Sequence, residues 1–188
     1  MSASGLKEAV AALNRISRFA VTTAKMQAVN KVAKSVASNG LRDAAKAINV
    51  GDNDHQGIPV RVIRSRAHVN LGSMAKPKAT IFVNCQPLPV IKLMSTPPSS
   101  PMRGKPGKAL KIGPYHFRNG FIAQAPNGYW QAFERTGRAR NPIRVIKVSV
   151  VHTLTRKMTE QTLSQMREKM PKELEAALNH QLEVLKIR

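Results

Sequence analysis

The side chains able to carry acid–base, nucleophilic or metal chemistry are few in this sequence and poorly spaced for it. Five histidines, His55, His68, His116, His152 and His180, are scattered, and no two stand four residues apart as a helix-borne metal pair would. Cys85 is the single cysteine, which excludes an internal disulfide and a multi-thiolate metal site and fits a reducing compartment. Carboxylates are scarcer still where they would matter. Residues 55–133 contain none, and Glu134 is the only acid between 55 and 159, so a paired general acid and base cannot be assembled there. Arg135 points to the opposite strand face from Glu134, so Glu134 is expected to pair across strands as a structural group. Gly104-Lys105-Pro106-Gly107-Lys108 lacks the Walker spacing, and Pro106 removes an amide that a phosphate cradle uses. Gly51-Asp52-Asn53-Asp54 lacks the glycine and terminal glutamate of a calcium loop. Neither a nucleophile elbow nor a dinucleotide fingerprint is present. The expectation is a non-enzymatic protein with no catalytic residue, cofactor or metal.

Positive charge is abundant and unevenly placed. The 188 residues carry 31 Lys and Arg against 10 Asp and Glu, a net charge of +21. Residues 55–159 hold 18 of the basic side chains and one acid, whereas 160–188 are balanced at five of each. Solubility does not require such a carboxylate-free run, so the pattern points to a polyanion or an acidic protein surface as partner. Two groups are the candidate contacts: Arg103, Lys105, Lys108 and Lys111, and Arg135, Arg138, Arg140 and Arg144. They lack the interleaved aromatics that stack on single-stranded bases, so a duplex backbone or an acidic rim is the expected target. No helix-turn-helix or zinc finger supports sequence-specific reading. No apolar run is long enough to span a bilayer, and no signal-peptide core is seen, so the chain reads as soluble and not exported.

The elements that must hold these residues centre on Gly120–Val151, which contains the only Trp, one of two Tyr and two of five Phe. Asn127-Gly128 is a strong hairpin signal. A two-residue loop would set Ile122 opposite Phe133, Ala123 opposite Ala132 and Ala125 opposite Trp130, with apolar groups on both faces, as in a sheet covered by helices. Pro126 has no N–H, so an opening of the turn to four residues stays open, and with it the register. A third strand is expected over Ile143–Val151, with Ile146, Val148 and Val150 on one face. Short strands are expected at 79–84, 88–93, 109–112 and 115–117. Residues 95–108, rich in Pro, Ser and Gly, read as an extended or mobile loop. Upstream, Leu6, Val10, Leu13 and Ile16 and then Val29, Val32, Ala33, Val36 and Ala37 recur at helical spacing, giving a helix to about Ile48 with a bend near Phe19–Thr23 and weakness at Gly40. Residues 58–71 fit either a short basic helix or a strand, and Pro59 at the first helical position favours the helix. Downstream, Leu154, Met158, Met166 and Met170 form one helical stripe, and Leu174, Ala177, Leu178, Leu182 and Leu185 another, with Pro171 opening the second segment. The fold class is α+β: a long N-terminal helix, a small, mostly antiparallel sheet with a central hairpin, and C-terminal helices packed on the sheet. One domain over 1–188 is expected, with helical parts at 1–50 and 152–188 around a basic sheet part at 58–151. An alanine-rich helix and a two-faced sheet suit self-association, for which Val29, Val32, Val36, Phe121 and Trp130 are the candidate interface residues.

These features, in this order, resemble the minor tail protein Z family of lambda-like long-tailed bacteriophages, the tail completion proteins. The likeness runs from Gly5-Leu6 and Asn14-Arg15-Ile16-Ser17 through Leu88-Pro89-Val90-Ile91-Lys92-Leu93 to the hairpin residues Gly120, Phe121-Ile122, Asn127-Gly128 and Trp130. It continues through Gly137, Arg140 and Pro142-Ile143 to Pro171-Lys172-Glu173-Leu174 and His180-Gln181-Leu182. Residues 94–112 match least. The resemblance implies a structural virion protein at the head-proximal end of the tail, assembled in the host cytoplasm as a homo-oligomer, a ring of six copies. It implies a joint with tail terminator, tail tube and head–tail connector proteins, placement of the genomic double-stranded DNA end in the lumen, and no membrane. Two alternatives stay open: a tail terminator or head–tail joining role, and, from another class, a nucleic-acid-binding accessory protein.

Overall fold

The computed structural model describes residues 3–48, 57–94, 98–103, 109–137 and 142–186. Within these it describes the side chains of all but residues 3–6, 8–13, 15–16, 103 and 185–186. The architecture is α+β, as the sequence implies. The chain forms two compact units, Met1–Gly40 with Ala67–Phe82 and Met158–Arg188, and Leu41–Arg66 with Val83–Lys157.

Helix α1, Ala3–Ala47, is a single helix of 45 residues. No proline interrupts it, and it continues through Phe19–Thr23 and Gly40. In the first unit Ala20, Ala24, Ala28, Val32 and Val36 are buried every fourth residue, flanked by Ala33 and Ala37. Small side chains on that stripe let a neighbouring helix come close. The partners are α3, Val151–Glu168, and α4, Met170–Lys186, whose residues from Met158 onward belong to this unit. Lys31 pairs with Glu173 at 2.6 Å, Lys169 Nζ donates to Ser35 Oγ at 3.1 Å, and Gln181 Nε2 donates to Gln27 Oε1 at 3.5 Å. One number rises as the other falls, so α4 runs antiparallel to α1. Gly40 belongs to the same seam. A Cβ there would stand 2.4 Å from Met158 Sδ, so this glycine admits the methionine and does not end the helix. The side chains of Leu6, Val10, Leu13 and Ile16 lie outside the described residues.

Pro171 falls in the first turn of α4, where a missing N–H costs no helical bond. The stripe expected on α3 is only half right. Leu154 and Met158 are buried, but Met166 is 51% exposed and Gln165 takes the buried position at 3%. Seven residues advance a helix by almost two whole turns, whereas eight overshoot by about 80°. Leu182, eight residues after Leu174, is turned out in the same way.

Strands β1, Ala67–Asn70, and β2, Thr80–Val83, pair as a two-stranded ribbon. Asn30 of α1 holds the connecting loop by both amide groups: its Nδ2 donates to Gly72 O at 3.0 Å, and Gly72 N donates to its Oδ1 at 2.7 Å.

In the second unit Pro59 caps the one-turn helix α2, Val60–Ile63, from an extended conformation, one position earlier than expected. The segment 88–93 is a two-residue strand, β3 (Leu88–Pro89), followed by a 3-10 turn over Val90–Leu93. Strands β5, Leu110–Ile112, and β6, Tyr115–Phe117, pair with Lys111 opposite His116. The main sheet has the order β4-β7-β8-β9, built from Met102–Arg103, Gly120–Gln124, Trp130–Arg135 and Ile143–Val145. The proline-rich segment therefore supplies an edge strand, with Met102 opposite Ile122 and Arg103 opposite Phe121. Residues 95–97 and 104–108 lie outside the described residues. After β9 the chain breaks at the buried Ile146, and β10, Lys147–Val148, pairs with β3.

The hairpin closes on a three-residue loop, which shifts the register by one from that of the expected two-residue or four-residue loop. Phe121 faces Phe133, Ile122 faces Ala132, and Gln124 faces Trp130. In a two-residue loop the amide of residue 126 would have to donate to Tyr129 O, and proline has none. Instead Ala125 N donates to Tyr129 O at 2.8 Å and Gly128 N to Ala125 O at 2.8 Å, leaving Pro126, Asn127 and Gly128 as the loop. Proline's fixed φ suits the first central position of a type I turn, and Gly128, at φ +81°, takes the left-handed position that follows.

Candidate functional site

The register decides which side chains share a face. Ile122 and Ala132 are each 1% exposed, so their face of the main sheet is closed by the core of the second unit. Phe121, Ala123, Gln131, Phe133 and Val145 on the other face are half-buried, and Ile143 and Arg135 are exposed. The expectation of a sheet covered on both faces is thus met on one face only. Phe121 and Phe133 lie with ring centroids 5.8 Å apart and planes tilted by 32°.

Of the expected basic residues, the structure describes the side chains of Arg135, Arg144 and Lys111. Arg135 stands opposite Ile143, on the phenylalanine face. Arg144 projects on the other face, where its Nε and Nη2 both donate to Glu134 Oε2 at 3.0 and 2.8 Å. That is the cross-strand pair expected of Glu134. It neutralises the one acid of the sheet, so the phenylalanine face carries no carboxylate among the described residues. Arg103 occupies β4 and Lys111 occupies β5, strands of different sheets. Lys111 is exposed between the buried Leu110 and Ile112. Thr136 closes the neck of the β8–β9 connection, donating to Pro142 O from its N at 2.7 Å and from its Oγ1 at 3.0 Å. Lys105, Lys108, Arg138 and Arg140 lie outside the described residues.

Of the candidate interface residues, Val32 and Val36 are each 2% exposed in the single chain and retain almost no surface for a neighbour. Val29, Phe121 and Trp130 are half-buried. Sequence reasoning did not foresee the Phe121–Phe133 pair. The signal was Pro126, which forbids the register that would separate the two rings.

No cluster of three His, Cys, Asp or Glu that could hold a metal occurs among the described residues, and no helix among them is long and apolar enough to cross a membrane. A cleft of about 200 Å³ in the first unit is lined by Gln27, Ala28, Lys31, Glu173, Ala176, Ala177 and His180. Its one carboxylate is engaged by Lys31. Comparison with known proteins then supplies what the site's chemistry leaves open: the family model described as prophage minor tail protein Z (GPZ) matches residues 3–188.

The chain belongs to the minor tail protein Z family. It is 38% identical, over 192 aligned positions covering all of both chains, to the tail completion protein of Escherichia phage N15. To tail completion protein Z of Escherichia phage lambda it is 32% identical over 197 positions, covering 98% of each chain. No solved structure matches it. Membership of the minor tail protein Z family makes this a phage tail protein.

Proposed function

We propose that this chain is a tail completion protein that acts without catalysis. It is built into the virion at the head-proximal end of the tail, as a ring of copies that helps to join tail to head and to position the DNA end. The observation that carries the reading is the end-to-end correspondence with two proteins named as tail completion proteins, with no large unmatched segment to house another activity. The charge pattern supports it: a passage for DNA, or a seat for acidic neighbouring rings, calls for the carboxylate-free basic stretch that this sequence contains. The surface left for subunit contacts includes Val29 and Trp130. The chain assembles in the host cytoplasm with the terminator, tube and connector proteins as neighbours.

Imaging of virions carrying a tagged copy tests this. Density in a ring at the junction of tail and head is the expected result. Absence of the chain from purified virions would overturn the structural role.

A further inference from the structure

The partly buried second face of the main sheet has a chemistry that a duplex-binding sheet does not require. Two phenyl rings stand side by side on the two central strands, directly opposite one another in the ladder. The aliphatic side chains of Val145 and Ile143 continue the row onto β9. Arg135 is the exposed cation at the end of β8, and Arg103 occupies the ladder position opposite Phe121. Glu134 lies on the opposite face, bound to Arg144. We infer that this face is a stacking platform for single-stranded DNA, with bases laid on Phe121 and Phe133 and the strand's phosphates met by Arg135.

The choice of occupant follows from what the face offers. Duplex DNA presents phosphates and grooves and has no use for flat apolar rings in the middle of a sheet, whereas unpaired bases stack on such rings whatever their sequence. Aromatics on the central strands of a four-stranded antiparallel sheet are a geometry suited to that stacking. An exposed arginine on a face without a carboxylate among the described residues suits a phosphate-bearing partner. Recognition of ribose would need a free polar group to read its 2′-hydroxyl. Gln131, the one amide on the face, has its Oε1 shielded from solvent and does not offer it as an acceptor for a 2′-hydroxyl. The inference is independent of where the protein sits in the virion, because it concerns the isolated chain in solution.

The test is fluorescence anisotropy with the full chain and a labelled oligothymidylate of about 15 nucleotides, near the upper end of site sizes for a single domain. Comparison ligands are an abasic strand of equal length, a duplex and an oligouridylate. Phe121→Leu and Phe133→Leu keep apolar bulk and remove the rings. Each is expected to weaken binding of the oligothymidylate by about five-fold or more while leaving the abasic strand and the duplex unchanged. Arg135→Gln is expected to weaken all three and to flatten the salt dependence on single strands by about 0.7 in log–log slope. Melting temperature and Trp130 emission confirm that each variant is folded. Phe133→Tyr, which keeps a ring, is expected to bind as the parent does and carries the test if Phe133→Leu does not fold.

Equal affinity of parent and both leucine variants for the oligothymidylate would overturn the proposal. So would an equal loss on the abasic strand, or tighter binding of the oligouridylate. Displacement by poly-L-glutamate at matched charge would reduce the site to a seat for acidic protein. A smaller oligomer in the leucine variants with unchanged DNA affinity would give the face to a second copy.

Discussion

The turn at Pro126-Asn127-Gly128 can be tested by the sign of a stability change as well as by its size. At Gly128 the nearest atom to an added Cβ is Gln124 Nε2, at 4.0 Å, so a methyl group has room. The whole penalty of Gly128→Ala is then the backbone conformation at φ +81°, about 1–2 kcal/mol for a residue with a Cβ. For a chain of this size that lowers Tm by roughly 2–8 °C. Asparagine tolerates the left-handed region better, so Gly128→Asn should lose distinctly less. Pro126→Ala separates the two registers. In the observed turn Pro126 presets the first central φ, and replacing it costs about 0.4–1 kcal/mol through a freer unfolded chain. In a two-residue Asn-Gly loop the same change would restore a missing donor and stabilise the protein. Urea unfolding monitored by Trp130, the single tryptophan and the first residue of β8, gives both numbers. A stabilising Pro126→Ala, or Gly128→Ala without effect, would refute the turn. It would also refute the meeting of Phe121 and Phe133.

Other consequences are more local. Asn30→Ala removes both bonds to Gly72, a loss of about 1–3 kcal/mol, and should raise hydrogen exchange over residues 71–79 well above the rest of the first unit. Leu154→Ala empties a fully buried site and should cost about 2–5 kcal/mol in urea unfolding. Glu134→Gln breaks a surface pair in which Arg144 is 69% exposed, so a double-mutant cycle with Arg144→Gln should give a coupling below about 1 kcal/mol, falling further with salt.

Much of this fold can be read from residue spacing, because one face of each helix is in water and the other is not. The long first helix, the division at Pro171 and most strand positions follow from periodicity and proline chemistry. The differences have specific causes. Gly40 suggests a helix end, but it makes room for Met158, a contact 118 residues away that no local pattern reveals. Met166 looks like a core residue by type, yet it is one position past the buried face, which Gln165 occupies. The proline-rich segment gains an edge strand because β7 offers an unpaired edge, a tertiary opportunity absent from its composition. The site is less legible than the fold. Spacing suggested two basic groups, and of the second the strands set Arg135 and Arg144 on opposite faces. The pairing of Phe121 with Phe133 depends on a single absent amide at Pro126.

The first unit is assembled from three separated stretches, and its described cross-helix contacts join residues 27–40 to residues 158–181. On the ribosome, α1 is therefore made early and left without its partners while more than a hundred further residues are translated. At about 5–20 residues per second the gap between Lys31 and Glu173 lasts roughly 7–28 seconds. Throughout that interval the alanine–valine stripe of a 45-residue helix lies uncovered. A stripe of small side chains offers less to illegitimate partners than one of leucines would, because little apolar area is exposed per turn. The composition that permits close packing in the finished protein also lets the unfinished one wait. By the same reasoning, a nascent chain that stalls before α4 cannot complete its first unit, so premature termination should yield material for proteolysis and not a partly functional fragment.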